Sequence, residues 1–173
     1  MTHPVAGRVL PRSFFARDAV EVAPELLGKV LVAGPCAGRI SEVEAYRDDE
    51  PASHSFRGPT PRNRVMFGPA GHLYVYFTYG MHHCANVVTG DAGHGQGLLL
   101  RAVVPLAGLD VMRARRGGRP DRELTNGPGK VGQAFALDLS HSGTDVCAGG
   151  PIAVLDDGAP VPAAPLITPR IGI

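Results

Sequence analysis

The stretch His72–Thr78, HLYVYFT, constrains the fold more than any other. Its aromatic and β-branched side chains suit a pleated, half-buried surface, so it reads as a strand. Period-two geometry places Tyr74 and Tyr76 on one face, and Leu73, Val75 and Phe77 on the other. Tyr79-Gly80 begins a turn, and Cys84–Val88 returns as the next strand. Lys29–Ala33 and Arg39–Tyr46 flank a Gly/Pro turn and read as a second hairpin, with Glu42, Glu44 and Tyr46 on one face. Leu98–Val104 is a further apolar strand with a single charge, Arg101. The 23 glycines and 16 prolines leave little room for long helix. Three short helices are expected. Val22–Leu27 is stopped by Gly28, Pro105–Arg116 buries Leu106, Leu109 and Met112, and Gly129–Leu137 opens after Gly127-Pro128. The order implies an α+β fold, one domain over residues 1–173 with a mostly antiparallel, curved sheet and flanking short helices. Arg47–Pro69 is a polar loop long enough to be either functional or disordered. The tail from Gly150 is Pro-rich with short strands.

Net charge is only +1, so bulk charge does not announce a nucleic-acid partner. Its distribution says more. Seven cations against three anions lie between Arg101 and Lys130, and Arg57, Arg62 and Arg64 form a second cluster. Five acids crowd Glu42–Glu50. The split suggests a basic rim beside an acidic pocket, although for any one arginine a solvated surface position is the commoner reading. Apolar runs are too short to span a bilayer, the first ten residues lack a secretory core, and the cytosol is the simplest compartment. Cys36, Cys84 and Cys147 are odd in number and form no Cys-x-x-Cys pair, so reduced, partly buried thiols are expected.

Several residues can carry chemistry. Glu44 lies mid-strand beside Tyr46, and a partly desolvated carboxylate can act as a general base. A Glu on the solvent face of an edge strand is the commoner alternative for such a stretch. Tyr46, Tyr74, Tyr76 and Tyr79 are all the tyrosines of a chain without Trp. Their faces can stack on nucleobases, although an aromatic stripe is more often core. His72, His82, His83 and Cys84 match no zinc spacing, and a metal site ranks low. Thr125–Lys130 fails the Walker spacing, but its glycines and Lys130 could hold one DNA phosphate.

Taken together, the segments PRSFFARD, EVAPELLGKVLV, GRISEVEAY, ASHSFRGPTPRNRVMFGPAGHLYVYFTYGMHHCANVV, GLLLRAVVPLAG and DRELTNGPGKVGQAFALD resemble the alkyladenine (3-methyladenine, methylpurine) DNA glycosylase family. The likeness covers Leu10 to about Leu139. It implies the methylpurine-glycosylase fold, similar to a formyltransferase C-terminal domain. It also implies excision of alkylated purines from double-stranded DNA by a monomer that needs no cofactor or metal. Glu44 would activate the hydrolytic water and Arg101 would help hold it. Tyr46, His54 and Tyr76 would wall the base pocket, and Asn86 would exclude the exocyclic amino group of guanine. Tyr79, with Met81 beside it, would be the wedge entering the duplex. Arg62, Arg64 and Lys130 would contact the DNA backbone. No Lys neighbours Glu44 in its motif, which implies hydrolysis without a Schiff base. Two departures stand out. The segment ending at Ile173 is expected to be shorter than the family norm, and His82 replaces an aromatic found beside the wedge in some members.

Overall fold

Alternation along the strands decides which side chains meet, and a computed structural model that describes residues 2–172 shows how. The strands are Arg8–Val9 (β1), Val30–Ala33 (β2), Cys36–Tyr46 (β3), Leu73–Thr78 (β4), His82–Thr89 (β5), Gln96–Ala107 (β6) and Ile152–Asp156 (β7). They form one sheet in the order β1-β7-β2-β3-β6-β5-β4, and every neighbouring pair is antiparallel. Four short helices accompany it: Arg12–Phe15 (α1), Ala19–Leu26 (α2), Leu109–Arg115 (α3) and Pro128–Ala134 (α4). The expected α+β architecture is therefore present.

The main core lies on one face of this sheet. Leu31, Leu73, Val75, Ala85, Val87, Leu98, Leu100 and Val154 pack there with Val22 and Leu26 of α2, Met112 of α3, and Val131 and Ala134 of α4. The alternate positions point the other way. Val30, Val32, Ala153 and Leu155 make a small second cluster, and Tyr74, Val88 and Met66 a third. Glu44, Asn86, Leu99 and Arg101 alternate with core residues of their own strands, so they belong to this second face as well.

Three expected helices begin or end elsewhere. α2 starts at Ala19 because Asp18 accepts a 2.9 Å bond from the Val20 N–H, an N-cap the periodicity does not show. Pro105 does not open a helix; β6 continues through it to Ala107, and Pro105 pairs with Gly38 beside a register shift that tolerates a missing N–H. Gly108 then turns the chain at φ 76°, where a Cβ would lie 2.6 Å from the Pro35 carbonyl oxygen, and α3 begins only at Leu109. Leu106 is consequently exposed rather than core, while Met112 is fully buried. α4 stops at Ala134, short of Leu137, and Ala136 takes φ 52°. β1 and α1, which carry no strong periodicity, also belong to the fold.

Arg39 ties three segments together. Its guanidinium donates to the Gly28 carbonyl (2.7 Å) and to both oxygens of Asp157 (3.1 and 2.7 Å). The paired hydrogen bonds from Arg39 hold the Asp157 carboxyl down at about 2. A depressed carboxylate stabilises the fold above its unfolded value, roughly 3.9, and that contribution is lost as pH falls through about 2. Urea midpoints of the parent should therefore decline across this window, and Asp157→Asn should remove that part of the decline. Identical acid limbs in the two proteins would show that the pair contributes nothing.

Candidate active site

One row of cross-strand partners builds the site. Tyr74 of β4 opposes Asn86 of β5, Asn86 opposes Leu99 of β6, and Leu99 opposes Glu44 of β3. The row spans three strand spacings, roughly 14 Å, so its ends do not touch and a cleft can open between them. In the neighbouring row Tyr46 opposes Gly97, and Gly97 opposes Val88. Met66 packs over Gly97, its terminal methyl 3.6 Å from where a Cβ would be, an ordinary contact.

Two register shifts aim the charged groups. The β3–β6 pairing steps from Ile40↔Val103 to Glu42↔Ala102, and then to Val43↔Leu100. Ser41 and Arg101 are left without a directly opposed partner, and such bulges re-aim side chains. Arg101 Nε donates to Glu42 Oε1 (2.8 Å), and its Nη1 lies 3.4 Å from Glu44 Oε1. Glu44 is only 6% exposed. It is not on a solvent-facing edge, because β3 lies between β2 and β6. Tyr46 Oη donates to Glu44 Oε2 (2.8 Å), and the Ile171 N–H donates to Oε1 (3.0 Å). Burial, reinforced by the bond to Glu44, pushes the Tyr46 phenol well above its usual range, so it stays a donor.

The cleft itself encloses about 50 Å³ and is lined by Tyr46, Ala52, Ser53, His54, Met66, Tyr74, Tyr76 and Asn86. Glu44 and Arg101 do not line it; they reach it through Tyr46. The His54 ring meets Tyr76 edge-on at 4.5 Å, and its Nδ1 is 3.1 Å from Tyr74 Oη. Burial against these rings, with Arg62 nearby, lowers the His54 pKa and favours its neutral form. Asn86 is buried and donates to the Tyr74 carbonyl (3.1 Å).

The long loop after β3 is ordered by its own polar groups. Asn63, buried, donates to the carbonyls of His54 (2.8 Å) and Gly58 (3.2 Å) and accepts from the Thr60 N–H (2.6 Å). Ser55 hydroxyl donates to the Gly95 carbonyl, and a Cβ at Gly95 would lie 2.3 Å from Ser55. The Gly93–Gly97 loop thus braces the loop that carries His54. A single 3-10 turn, Arg64–Phe67, brings Met66 beneath the cleft.

Tyr79 and Met81 stand at the β4–β5 turn, 85% and 68% exposed. Tyr79 and Gly80 both have positive φ (52° and 66°), and the Met81 N–H bonds back to the Thr78 carbonyl (3.2 Å), the pattern of a type I′ turn. The expected basic rim divides in two. Arg113 is committed to Asp110 and Asp121, Arg115 to the Ala134 carbonyl, and Arg116 to Leu124 and Gln133. The bonds of Arg115 and Arg116 tie α3 to α4, whereas those of Arg113 lie on the surface. Arg62, Arg64 and Arg57 remain exposed, with Arg62 donating to the Phe77 carbonyl (3.2 Å). Lys130 Nζ bonds Asn126 Oδ1 (2.8 Å). Among the described residues no three His, Cys, Asp or Glu side chains converge as a metal site, no helix is long and apolar enough to cross a membrane, and all three cysteines are free.

The residues brought together are therefore Glu44, Arg101, Tyr46, His54, Tyr76 and Asn86, with Tyr79 and Met81 on a separate projection. Sequence reasoning counted Tyr74 among the stacking tyrosines without giving it a wall of the pocket, and did not assign Met66 or Asn63 to the site, nor Arg170 and Ile171. Tyr74 shares a face with Tyr76 by simple alternation, whereas the last two carry no local signal.

A model of the methylpurine-DNA glycosylase family matches residues 13–173. Provisionally named 3-methyladenine DNA glycosylases are similar over nearly the whole chain. That of Carboxydothermus hydrogenoformans is 48% identical, covering 95% of this chain and 88% of the relative. That of Burkholderia cenocepacia is 52% identical, covering 98% and 84%. That of Streptomyces avermitilis is 49% identical, covering 95% and 81%.

Proposed function

The chain belongs to the methylpurine-DNA glycosylase family, and from that premise we propose that it hydrolyses the N-glycosidic bond of 3-methyladenine and 7-methylguanine in double-stranded DNA. The observation that carries this reading is a buried carboxylate, Glu44, bonded to the phenol of an aromatic cleft and faced by Arg101. A base inside a duplex is out of reach, so it is flipped into the cleft. N-alkylation makes the purine cationic, which weakens its bond to the sugar and strengthens its stacking on Tyr46 and Tyr76. Glu44 takes a proton from water and offsets the charge of an oxocarbenium-like transition state. Arg101 holds that water and keeps the carboxylate in place. Asn86 stands where the exocyclic amino group of guanine would enter.

Desolvation, with Arg62 nearby, lowers the His54 pKa and makes it a poorer source of a proton for a leaving group. Cationic bases need none. Hypoxanthine and ethenoadenine are neutral, so they leave more slowly. The only two lysines, Lys29 and Lys130, are engaged with Asp156 and Asn126, which supports hydrolysis without a Schiff base or strand cleavage. Arg62, Arg64 and Lys130 contact the DNA backbone, and the enzyme acts as a monomer in the cytoplasm. The test is base release from methylated duplex over a panel of 3-methyladenine, 7-methylguanine, hypoxanthine and ethenoadenine. Binding of these duplexes with no release of any base would replace the hydrolase with a damage-binding protein.

Tyr79 is read as the wedge that fills the space left by the flipped base. A non-glycine residue with positive φ is strained by roughly 1–2 kcal/mol, so Tyr79→Gly should melt no lower than the parent. The same change should slow excision from duplex about tenfold or more, since the cost of flipping, a few kcal/mol, is no longer offset. Thermal melts and single-turnover rates check both halves. A variant that excises at the parental rate removes Tyr79 from this role.

A further inference from the structure

The segment that reaches Glu44 from the far end of the chain is organised by a single side chain. Arg170 Nη1 donates to the carbonyl of Ala45 (3.0 Å), the residue between Glu44 and Tyr46. Its Nη2 pairs with Glu50 Oε2. Its guanidinium carbon lies 4.7 Å from the centroid of the Tyr46 ring. The next residue, Ile171, gives its N–H to Glu44 Oε1 (3.0 Å). Arg170 does not line the cleft, whereas Tyr46 does, so the guanidinium covers one face of that ring and leaves the other to the cleft.

We propose that Arg170 is a positioning residue for the hydrolytic reaction: it fixes the backbone between Glu44 and Tyr46, backs the Tyr46 ring, and sets the Ile171 N–H on the Glu44 carboxylate. The proposal rests on the hydrolase reading above. Without Arg170, Glu44 keeps Tyr46 Oη on one oxygen, but the oxygen shared by Arg101 and Ile171 loses the donor that fixes its direction. Only a planar fork can bond a carbonyl and a carboxylate side by side while lying against a ring, and an ammonium cannot.

The experiment compares Arg170→Ala, Arg170→Lys and Glu50→Gln with the parent in single-turnover excision of 3-methyladenine and in equilibrium binding of the same duplex. In Arg170→Ala the rate constant should fall about 10- to 100-fold while the dissociation constant stays within about threefold, as expected for a misplaced catalytic group. Arg170→Lys should recover only part of the rate. Added methylguanidinium should raise the rate of Arg170→Ala and leave the parent unchanged. Glu50→Gln loosens the clamp from its other side and should lose rate in the same sense, less severely, so it decides the matter if Arg170→Ala does not fold. A rate within about twofold of the parent, a loss carried by binding, or full rescue by Lys overturns the proposal. A parent that releases no base overturns the hydrolase reading itself, and this inference with it.

Discussion

Glu44→Gln is expected to slow single-turnover excision of 3-methyladenine by about 10²–10⁴-fold, the usual contribution of a positioned general base. Gln keeps the shape: its single carbonyl oxygen can still accept from the Ile171 N–H, and its NH2 group then donates to Tyr46 Oη, which accepts where it had donated to Glu44. It cannot take a proton from water or oppose positive charge on the sugar. Affinity for the damaged duplex should change little, because Glu44 does not line the cleft. Stability should also change little. Removing one partner of a buried ion pair can cost about 3–5 kcal/mol, but only when the other charge is stranded. Arg101 is not stranded, since Glu42 lies 2.8 Å from its Nε, so a loss nearer 1 kcal/mol is expected. A fall in rate with binding and melting temperature preserved assigns the base. A rate near that of the parent would leave Glu44 as a structural acid and require another group to activate water.

How much of this was legible in the sequence depends on the range of the contact. Period-two alternation in HLYVYFT put Tyr74 and Tyr76 on one face, and the same rule put Glu44 with Tyr46; both pairs are found so. What alternation cannot give is register. That Glu44 lies in line with Asn86, and that Arg101 turns toward two carboxylates, follows from bulges near Ser41 and Arg101 that leave no mark in either strand taken alone. Length misled at Pro105, where the first three residues of the expected helix are in fact the end of a twelve-residue strand and only Leu109–Arg115 are helical, because Gly108 and not Pro105 supplies the turn. Charge misled on α3. Arg113, Arg115 and Arg116 fit a basic rim by count, yet each is bonded to a partner 8 to 19 residues away, Asp121, the Ala134 carbonyl and Gln133. The contact with no local trace at all is that of Ile171 with Glu44, separated by 127 residues.

Gly132→Ala should cost the fold about 1–3 kcal/mol or more, the range for overpacking a tight contact. The position lies inside α4, where Ala is normally favoured over Gly by about 1 kcal/mol, so propensity alone predicts the opposite sign. Sterics decide. A Cβ at Gly132 would lie 2.1 Å from the His83 carbonyl oxygen and 3.1 Å from its carbon, and a backbone carbonyl in β5 has no rotamer to escape into. α4 would have to lift from the sheet, taking Val131 and Ala134 out of the main core. For a chain of this size each kcal/mol lowers the melting temperature by roughly 2–4 °C, so a fall of several degrees is expected. Gly150→Ala is the matched control, with nothing within 4 Å of the added carbon and no positive φ, and it should melt within about 1 °C of the parent. The consequence extends to activity. His82 and His83 begin β5 directly after the Tyr79-Gly80 turn, and Gly129 of the same helix sits under the His82 ring, where a Cβ would come within 2.8 Å. The turn that carries Tyr79 is thus braced by a helix that can approach only because two of its residues lack side chains. Gly132→Ala should therefore impair excision from duplex DNA more than from a single strand, where no space is left to be filled. Equal loss on both substrates would mean that α4 supports the sheet alone and leaves the wedge untouched.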